Sequence, residues 1–226
     1  MKRYDNIFAL IQKAKKDQKE LTDQYNVSLE EKRVKEELKV IIKNILENLR
    51  SCLDYSAREI VEECIKPAKN PEVLYFPIRK TRVEFDKVRN SDYNNLQAIN
   101  RKVYDLLESV QPYNKEWLGA FNKLNNQNKH NDLVEQIRTE DRRVEVKRGN
   151  GSVSWNSGVT FGNGVSVMGV PIDHRTQMPF PNRTVTTKVT IWVSFIFKDN
   201  NKNVLSFIDE SIREVETITS ILNKCI

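Results

Sequence analysis

The residues best suited to chemistry form an Asn-rich run that ends in a lysine and a histidine, Leu124-Asn125-Asn126-Gln127-Asn128-Lys129-His130. On a helix, Asn125, Asn126, Lys129 and His130 stand at i, i+1, i+4 and i+5, which predicts one polar face. A histidine exchanges protons near neutral pH, and a lysine can hold an anion. Asparagine is unfavourable inside a helix because its amide competes for backbone hydrogen bonds. Asn122, Asn125, Asn126 and Asn128 on one helix therefore predict either a site or a buried polar network with another helix.

Arg50 and Asp54 are the candidate partners for this face. They stand four residues apart on a long predicted helix, beside the apolar positions Leu49 and Leu53. One reading is a surface ion pair worth about 0.3–0.5 kcal/mol. The other is that both residues meet the Asn-rich face. We predict catalytic roles for His130, Lys129 and Asn125, and ligand-binding roles for Asn126, Arg50 and Asp54.

A second candidate site is a basic segment within a chain of net charge +6. Residues 142–198 carry that whole charge, because the remaining basic and acidic residues cancel. Their basic residues are Arg142, Arg143, Lys147, Arg148, Arg175, Arg183, Lys188 and Lys198, against Glu145 and Asp173. The segment predicts either a polyanion partner or a solvated face. We predict nucleic-acid contacts for Arg142, Arg143, Lys147 and Arg148. Trp155, Phe161 and Trp192 are available either for base stacking or for a sheet core.

The elements that position these residues are mainly helices, since no glycine precedes Gly119. Apolar spacing predicts helices over residues 3–25, from a capping box at Ser28 and Glu31 to Lys66, from Asp92 to Ser109, and from Asn114 to Ile137. Residues 67–91 are expected to be irregular.

From Arg142 the apolar period changes from about 3.6 to 2, which indicates strands. Strands are predicted at Val144–Lys147, Val153–Trp155, Val159–Phe161, Val165–Val170 and Thr184–Phe197, with turns at Gly149-Asn150-Gly151 and Gly162-Asn163-Gly164. A last helix follows Asp199-Asn200-Asn201. The predicted fold is one mainly α domain, residues 1–226, with an antiparallel β insertion over 142–199 before the last helix.

Several classes of function lack their signatures. No apolar run approaches the ~20 residues of a membrane span, and the polar start does not suggest a secretory signal. Cys52, Cys64 and Cys225 are too scattered for a disulfide framework, and Cys52 and Cys64 read as buried free thiols. Phosphate-loop and hydrolase motifs are absent, and His130 with His174 is a poor metal set. We therefore expect no cofactor, no metal and a cytoplasmic location, with His174 as ordinary loop polarity.

Four motifs carry a family resemblance over roughly residues 40–137. They are Asn48-Leu49-Arg50-Ser51-Cys52-Leu53-Asp54, Phe76-Pro77-Ile78, Gln111-Pro112-Tyr113 and Leu124–His130. In order they are similar to the NLRSALDH, FPI, QPY and LNNIDKH motifs of a widespread group of uncharacterised bacterial proteins. That group resembles the HEPN superfamily, which implies a helical bundle, often dimeric, and in many members a metal-independent ribonuclease.

The nuclease motif of that superfamily is R-x4-6-H on a helix. His130 matches its histidine, but Asn125 stands where the arginine is expected, and no arginine lies between Trp117 and His130. Lys129 or Arg50 could supply the cation. The group's own pattern also differs at three positions, which here are Tyr55, Asn128 and Asn131.

Three functions follow from these observations. The first is a HEPN-like, non-catalytic homodimer that binds RNA, another polyanion or a protein partner. The second is a metal-independent ribonuclease acting in a toxin or phage-defence setting, and the third is a small-molecule sensor with the Asn/His face lining a pocket.

Overall fold

The computed structural model describes residues 1–31, 36–65, 74–89, 93–130 and 133–226. The described helices are α1 (Tyr4–Glu31), α2 (Glu36–Cys64), α3 (Arg82–Arg89), α4 (Leu96–Ile99), α5 (Arg101–Ser109), α6 (Glu116–His130) and α7 (Val204–Cys225). The strands are β1 (Gln136–Arg148), β2 (Gly151–Asn156), β3 (Ser166–Val167), β4 (Val170–Asp173), β5 (Met178–Pro179) and β6 (Thr186–Phe197). The protein is 54% helical, with antiparallel sheets between α6 and α7. The predicted mainly helical class with a β segment before the last helix is thus confirmed.

The chain divides into two compact units. A helical unit contains Met1–Ile137 and Ile196–Ile226, and a β unit contains Arg138–Phe195. The β unit contains eight Lys/Arg and four Asp/Glu residues. These counts differ from those of residues 142–198 because the unit includes Arg138, Glu140 and Asp141 and excludes Lys198. The description of residues 1–226 as one domain with an insertion over 142–199 stays a prediction.

The core of the helical unit lies where α2 packs against α1, α6 and α7. Apolar side chains at spacings of three and four fill it from each helix, as with Ile7 and Ile11 on α1 and Ile45 and Leu49 on α2. Burying each such side chain contributes about 1.5–3 kcal/mol. Among the described helices, none has the length and apolar character needed to cross a membrane.

A buried carboxylate attaches the start of α1 to α2. Glu59 is 0% exposed. It accepts hydrogen bonds from the backbone N–H groups of Lys2 at 2.7 Å and Arg3 at 3.2 Å, and from the Arg3 guanidinium at 2.6 Å. A negative charge is favourable at this end of a helix, where N–H groups lack helical partners. Glu59 therefore fixes where α1 begins.

Two predicted helix boundaries in the first half were wrong. Helix α1 continues through Ser28 to Glu31, so Ser28 does not begin a new helix. Residues 82–89, predicted to be irregular, form α3. A reciprocal capping box precedes it, in which the Glu84 N–H donates to the Thr81 hydroxyl at 3.2 Å and the Thr81 N–H donates to the Glu84 carboxylate at 3.3 Å.

Two further boundaries differ for side-chain reasons. The helix expected to start at Asp92, which lies outside the described residues, is divided at Asn100, whose side chain accepts the Val103 N–H at 3.2 Å and begins α5. Helix α6 ends at His130 and not at Ile137. The Asn128 side chain accepts the Val134 N–H at 2.9 Å, and residues 133–135 are not helical before β1 starts. Lys66 also lies outside the described residues.

The main sheet of the β unit has the strand order β2-β1-β6. Strands β1 and β2 form a hairpin in which Val144 is opposite Trp155 and Val146 is opposite Val153. Its two-residue turn begins at Gly149 with φ +56°, a left-handed conformation that favours glycine. Val144, Val146, Trp155, Val167 and Ile172 form the core of the unit.

The other predicted strands changed in two places. Val159–Phe161 is not a strand, because a side chain replaces the strand partner: the Phe161 N–H donates to Gln177 Oε1 at 2.6 Å, and Gln177 Nε2 donates to the Phe161 carbonyl at 3.2 Å. The predicted strand Val165–Val170 is interrupted by a turn at Met168 and Gly169, with φ values of 55° and 75°, and yields β3 and the start of β4.

Candidate functional site

Arg50 and Asp54 form the centre of a polar cluster between α2, α6 and the segment that contains Phe76. The Arg50 guanidinium contacts both carboxylate oxygens of Asp54 at 3.1 Å. It also donates to the Asn122 side chain at 3.2 Å and to the Phe76 carbonyl at 3.5 Å. Asp54 accepts the Phe76 N–H at 2.8 Å. This clasp, made of Arg50, Asp54, Asn122 and the Phe76 backbone, joins two helices to an extended segment.

Gln111 holds the next part of the same segment and is 0% exposed. Its amide donates to the carbonyls of Pro77 at 2.8 Å and Leu107 at 2.7 Å, and its oxygen accepts the Arg79 N–H at 2.9 Å. Residues 74–79 are neither helix nor strand. Their buried backbone groups therefore need partners outside regular structure, and Gln111 and the clasp supply them.

The geometry limits what Arg50 can do. Its side chain is 10% exposed, and its donors are directed at Asp54, Asn122 and the Phe76 carbonyl. A guanidinium paired in this way does not present a free positive charge to a ligand. The arrangement accounts for Arg50 and Asp54 as a structural pair, while their predicted ligand-binding role, and that of Asn126, stays a prediction.

The Asn-rich face of α6 is divided between the interior and the surface. Asn125 is 1% and Asn128 6% exposed, whereas Asn126 and Lys129 are exposed. Helix α6 keeps Asn125, Asn126 and Lys129 at the predicted helical spacing, but burial separates Asn125 from the two exposed residues. His130 is the last residue of α6, and its side chain lies outside the described part of the structure.

Two buried asparagines of α6 each have one side-chain atom without a hydrogen-bond partner among the described residues. These atoms are Oδ1 of Asn125 and Nδ2 of Asn128. An unpartnered buried polar atom costs about 1–3 kcal/mol. Lys129 is exposed and has no ion pair within the described ranges. The predicted catalytic roles of Asn125, Lys129 and His130 stay predictions.

The three cysteines are free thiols, of which Cys52 is buried as predicted, whereas Cys64, predicted to be buried, is half-buried, as is Cys225. Burial raises the pKa of Cys52 to about 12 and also raises the pKa of Cys64. A thiol with a raised pKa is a poor nucleophile and metal ligand, because the thiolate is the reactive form. In the part of the chain that the structure describes, no group of three or more His, Cys, Asp or Glu side chains is placed to hold a metal ion.

The four predicted nucleic-acid-binding residues lie on β1 but on two faces. Alternate residues of a strand point to opposite sides, so Arg142 and Arg148 share the side of the buried Val144 and Val146. The two arginines donate to backbone carbonyls of their own unit, Arg142 to Thr176 at 2.8 Å and Arg148 to Met168 at 3.0 Å.

Arg143 and Lys147 occupy the opposite, exposed side of β1. Their cross-strand neighbours on β2 are Asn156 and Ser152, so this side is polar on both strands. Arg143 donates to the Ser154 hydroxyl at 2.9 Å, and Lys147 lies 3.4 Å from the Glu145 carboxylate. We call Arg143, Glu145, Lys147 and the β2 side chains of Ser152, Ser154 and Asn156 the outer hairpin face.

The aromatic candidates of the sheet are partly explained as core. Trp155 is 6% exposed and stacks edge-on against Phe161, with ring centroids 5.1 Å apart. Its indole N–H donates to the Gln177 carbonyl at 3.1 Å. The side chain of Trp192 lies outside the described residues. For Trp155 and Phe161 the reading as sheet core fits the structure.

The sequence grouped Asn122 with the asparagines that could form a buried network with Arg50 and Asp54, and the hydrogen bond from Arg50 to Asn122 fits that interpretation. It assigned no role to Gln111, which binds the backbone of Pro77 and Arg79. A signal for Gln111 was present, because this residue begins one of the four motifs.

Comparison of the chain with protein-family models, with curated proteins and with solved structures finds no match. The protein is thus defined by its own features: a mainly helical chain with antiparallel sheets before its last helix, whose motif residues Arg50, Asp54 and Gln111 hold one extended segment in place.

Proposed function

We propose that the protein binds RNA through its β unit without cleaving it, and that its helical unit is a HEPN-like bundle that forms a homodimer. The observation that carries the binding proposal is the outer hairpin face. Arg143 and Lys147 stand about 13 Å apart along β1, with hydroxyl and amide side chains opposite them on β2. Glu145 lies between the two cations on this side, 3.4 Å from Lys147, so the face has a net charge of +1 with hydroxyl and amide side chains beside it. Arginine, lysine, hydroxyl and amide side chains are groups that contact phosphates and sugars.

Binding is favoured over cleavage because the predicted positions for a catalytic cation near α6 do not offer an accessible charge. Metal-independent RNA cleavage needs a base for the 2′-hydroxyl and a cation for the phosphate. Asn125 is buried at the position where the resemblance expects an arginine, and Arg50 is paired with Asp54. Neither residue offers a charge that a phosphate could reach.

The binding test is fluorescence anisotropy with a labelled single-stranded RNA at several salt concentrations. We expect the double variant Arg143→Gln/Lys147→Gln to bind more weakly and to have a smaller salt dependence. Each lost phosphate contact lowers the slope of log K against log salt by about 0.7 for single strands, so the double variant should lose about 1.4.

The matched control is Lys16→Gln/Lys19→Gln on the exposed surface of α1, which removes the same charge from the helical unit. If net charge alone attracts RNA, both double variants will weaken binding equally and the outer hairpin face will not be the site. A wild-type protein that binds no RNA at low salt would refute the proposal, and a complex with another protein in its place would favour a protein partner. Sedimentation velocity tests the dimer, which a monomer at micromolar concentration would contradict.

A metal-independent ribonuclease is the second candidate, favoured by Lys129, which is exposed and lacks an ion pair within the described ranges. It stands next to His130 at the end of α6. The test is incubation of the wild type and His130→Ala with total RNA in EDTA. Cleavage by the wild type that the variant lacks would establish the nuclease, whereas intact RNA with both proteins would exclude it under these conditions.

A further inference from the structure

The β unit contains a groove of about 420 Å³, and no residue of the outer hairpin face is part of its lining. Its lining is formed by Asn163–Val165, Pro171–Arg175 and Phe180. This volume lies within the range of roughly 300–1,000 Å³ that is typical of small-molecule sites. The lining includes the aromatic ring of Phe180, the imidazole of His174 and the guanidinium of Arg175.

The aromatic wall is Phe180, which is 53% exposed. The residue lies between Pro179 and Pro181, and its backbone N–H donates to the Pro171 carbonyl at 3.0 Å. Proline restricts the backbone, so the ring is presented from a stiff segment. An exposed ring on a stiff backbone is a surface on which a planar base can stack.

The cationic part of the groove is Arg175, beside His174. Arg175 is exposed, and in the described chain its guanidinium has no hydrogen bond or ion pair. It therefore differs from Arg142 and Arg148, which are bound to carbonyls. The imidazole of His174 is 45% exposed, at 4.0 Å from the Asp173 carboxylate.

The acidic residue of the groove is occupied by its own loop. Asp173 accepts the Arg175 backbone N–H at 2.9 Å and the Thr176 hydroxyl at 3.0 Å. Gln177 closes the loop, since its N–H donates to the Asp173 carbonyl at 2.7 Å. These contacts fix the turn that carries His174 and Arg175, and they direct the Asp173 carboxylate to donors within the protein.

We infer that this groove binds one nucleotide of a single-stranded RNA, with the base stacked on Phe180 and the phosphate held by Arg175 beside His174. The inference rests on the proposed RNA binding and specifies which part of the RNA the groove contacts. A duplex does not offer an unstacked base, so the groove selects single strands. The outer hairpin face then supplies charge, and the groove supplies the contact with a base.

The test compares an oligouridylate with an abasic strand of the same length, by anisotropy at fixed salt. We expect the wild type to prefer the strand with bases by about tenfold, as for one base–aromatic stack. Phe180→Leu keeps an apolar side chain but removes the aromatic face, and it should abolish this preference. Arg175→Gln should weaken the binding of both strands. The abasic strand has no base to stack, so its loss of affinity will report the phosphate contact of Arg175 alone.

Two matched controls separate the groove from general surface effects. Tyr75→Leu removes another exposed aromatic ring, 62% exposed in the helical unit, and Arg183→Gln removes another exposed arginine of the β unit. Both should leave the base preference unchanged. Far-ultraviolet circular dichroism of every variant will show whether each one is folded.

The outcomes separate this inference from the proposed function. If RNA binds and Phe180→Leu keeps the base preference, the groove is not the site, while RNA binding through the outer hairpin face stands. If the protein binds no RNA, the proposed function fails, and the groove is then tested with uridine monophosphate by NMR titration. Shifts that Phe180→Leu removes would support a nucleotide site, and no shifts at millimolar nucleotide would overturn it.

Discussion

Replacing Asp54 by alanine should destabilise the helical unit strongly, because the carboxylate serves three donors at once. It contacts Arg50 through both of its oxygens and accepts the Phe76 N–H. The variant would leave the Arg50 guanidinium with its two remaining carbonyl oxygen partners, on Asn122 and Phe76. It would also leave the Phe76 N–H without an acceptor.

The expected loss in the free energy of unfolding is about 3 kcal/mol. Removing one partner of a buried ion pair costs roughly 3–5 kcal/mol. The side chains of Arg50 and Asp54 are 10% and 20% exposed, so the lower end of that range applies. Asp54→Asn keeps an acceptor for the Phe76 N–H and should cost less, about 2 kcal/mol. The pair Arg50→Met/Asp54→Leu should cost less than the sum of its single variants, because no unpaired charge remains.

The assay is urea unfolding followed by circular dichroism at 222 nm. Arg101 and Asp105 on α5 provide the control, since they form the same i,i+4 ion pair with side chains 67% and 51% exposed. Asp105→Ala should change stability by no more than about 0.5 kcal/mol. If Asp54→Ala costs no more than Asp105→Ala, then the clasp does not hold the segment, and Arg50 is available for a ligand after all.

Three further predictions concern stability. Gln111→Ala should cost about 2–3 kcal/mol in urea unfolding, because buried backbone groups lose their partners; a loss below 1 kcal/mol would contradict the second attachment. The Arg3 guanidinium lowers the pKa of Glu62, so the stability gained there is complete above the ordinary value of 4.5 and falls as the pH drops below it. In acid, the free energy of unfolding should fall less steeply with decreasing pH for Glu62→Gln than for the wild type, and equal slopes would refute this. The Cys52 thiol has a pKa of about 12 against an ordinary 9.0, so its contribution is complete below pH 9 and falls above it by up to about 1.4 kcal/mol per pH unit. Cys52→Ala should reduce that alkaline slope, and an unchanged slope would show that other groups cause it.

The sequence predicted elements well where apolar periodicity was long, and poorly where a side chain replaces a backbone partner. Helix α7 and the hairpin of β1 and β2 follow from spacing and from a Gly turn. The strand expected at Val159–Phe161 failed because Gln177 pairs with the backbone there. A local sequence pattern does not predict such a contact, because the two residues are 16 positions apart. The end of α6 failed for the same reason, since Asn128 binds Val134.

Asparagines inside a helix are unfavourable, and the structure explains some of those in α6 but not all. Asn122 accepts a hydrogen bond from Arg50, and Asn128 accepts one from the Val134 N–H, so these two asparagines have structural roles. Asn125 has no such contact for its buried Oδ1 among the described residues. A helix would gain stability from alanine at that position unless the amide were needed. We therefore expect any function of α6 itself to involve Asn125 together with Lys129 and His130, whereas the proposed RNA contacts lie on the charged residues of the β unit.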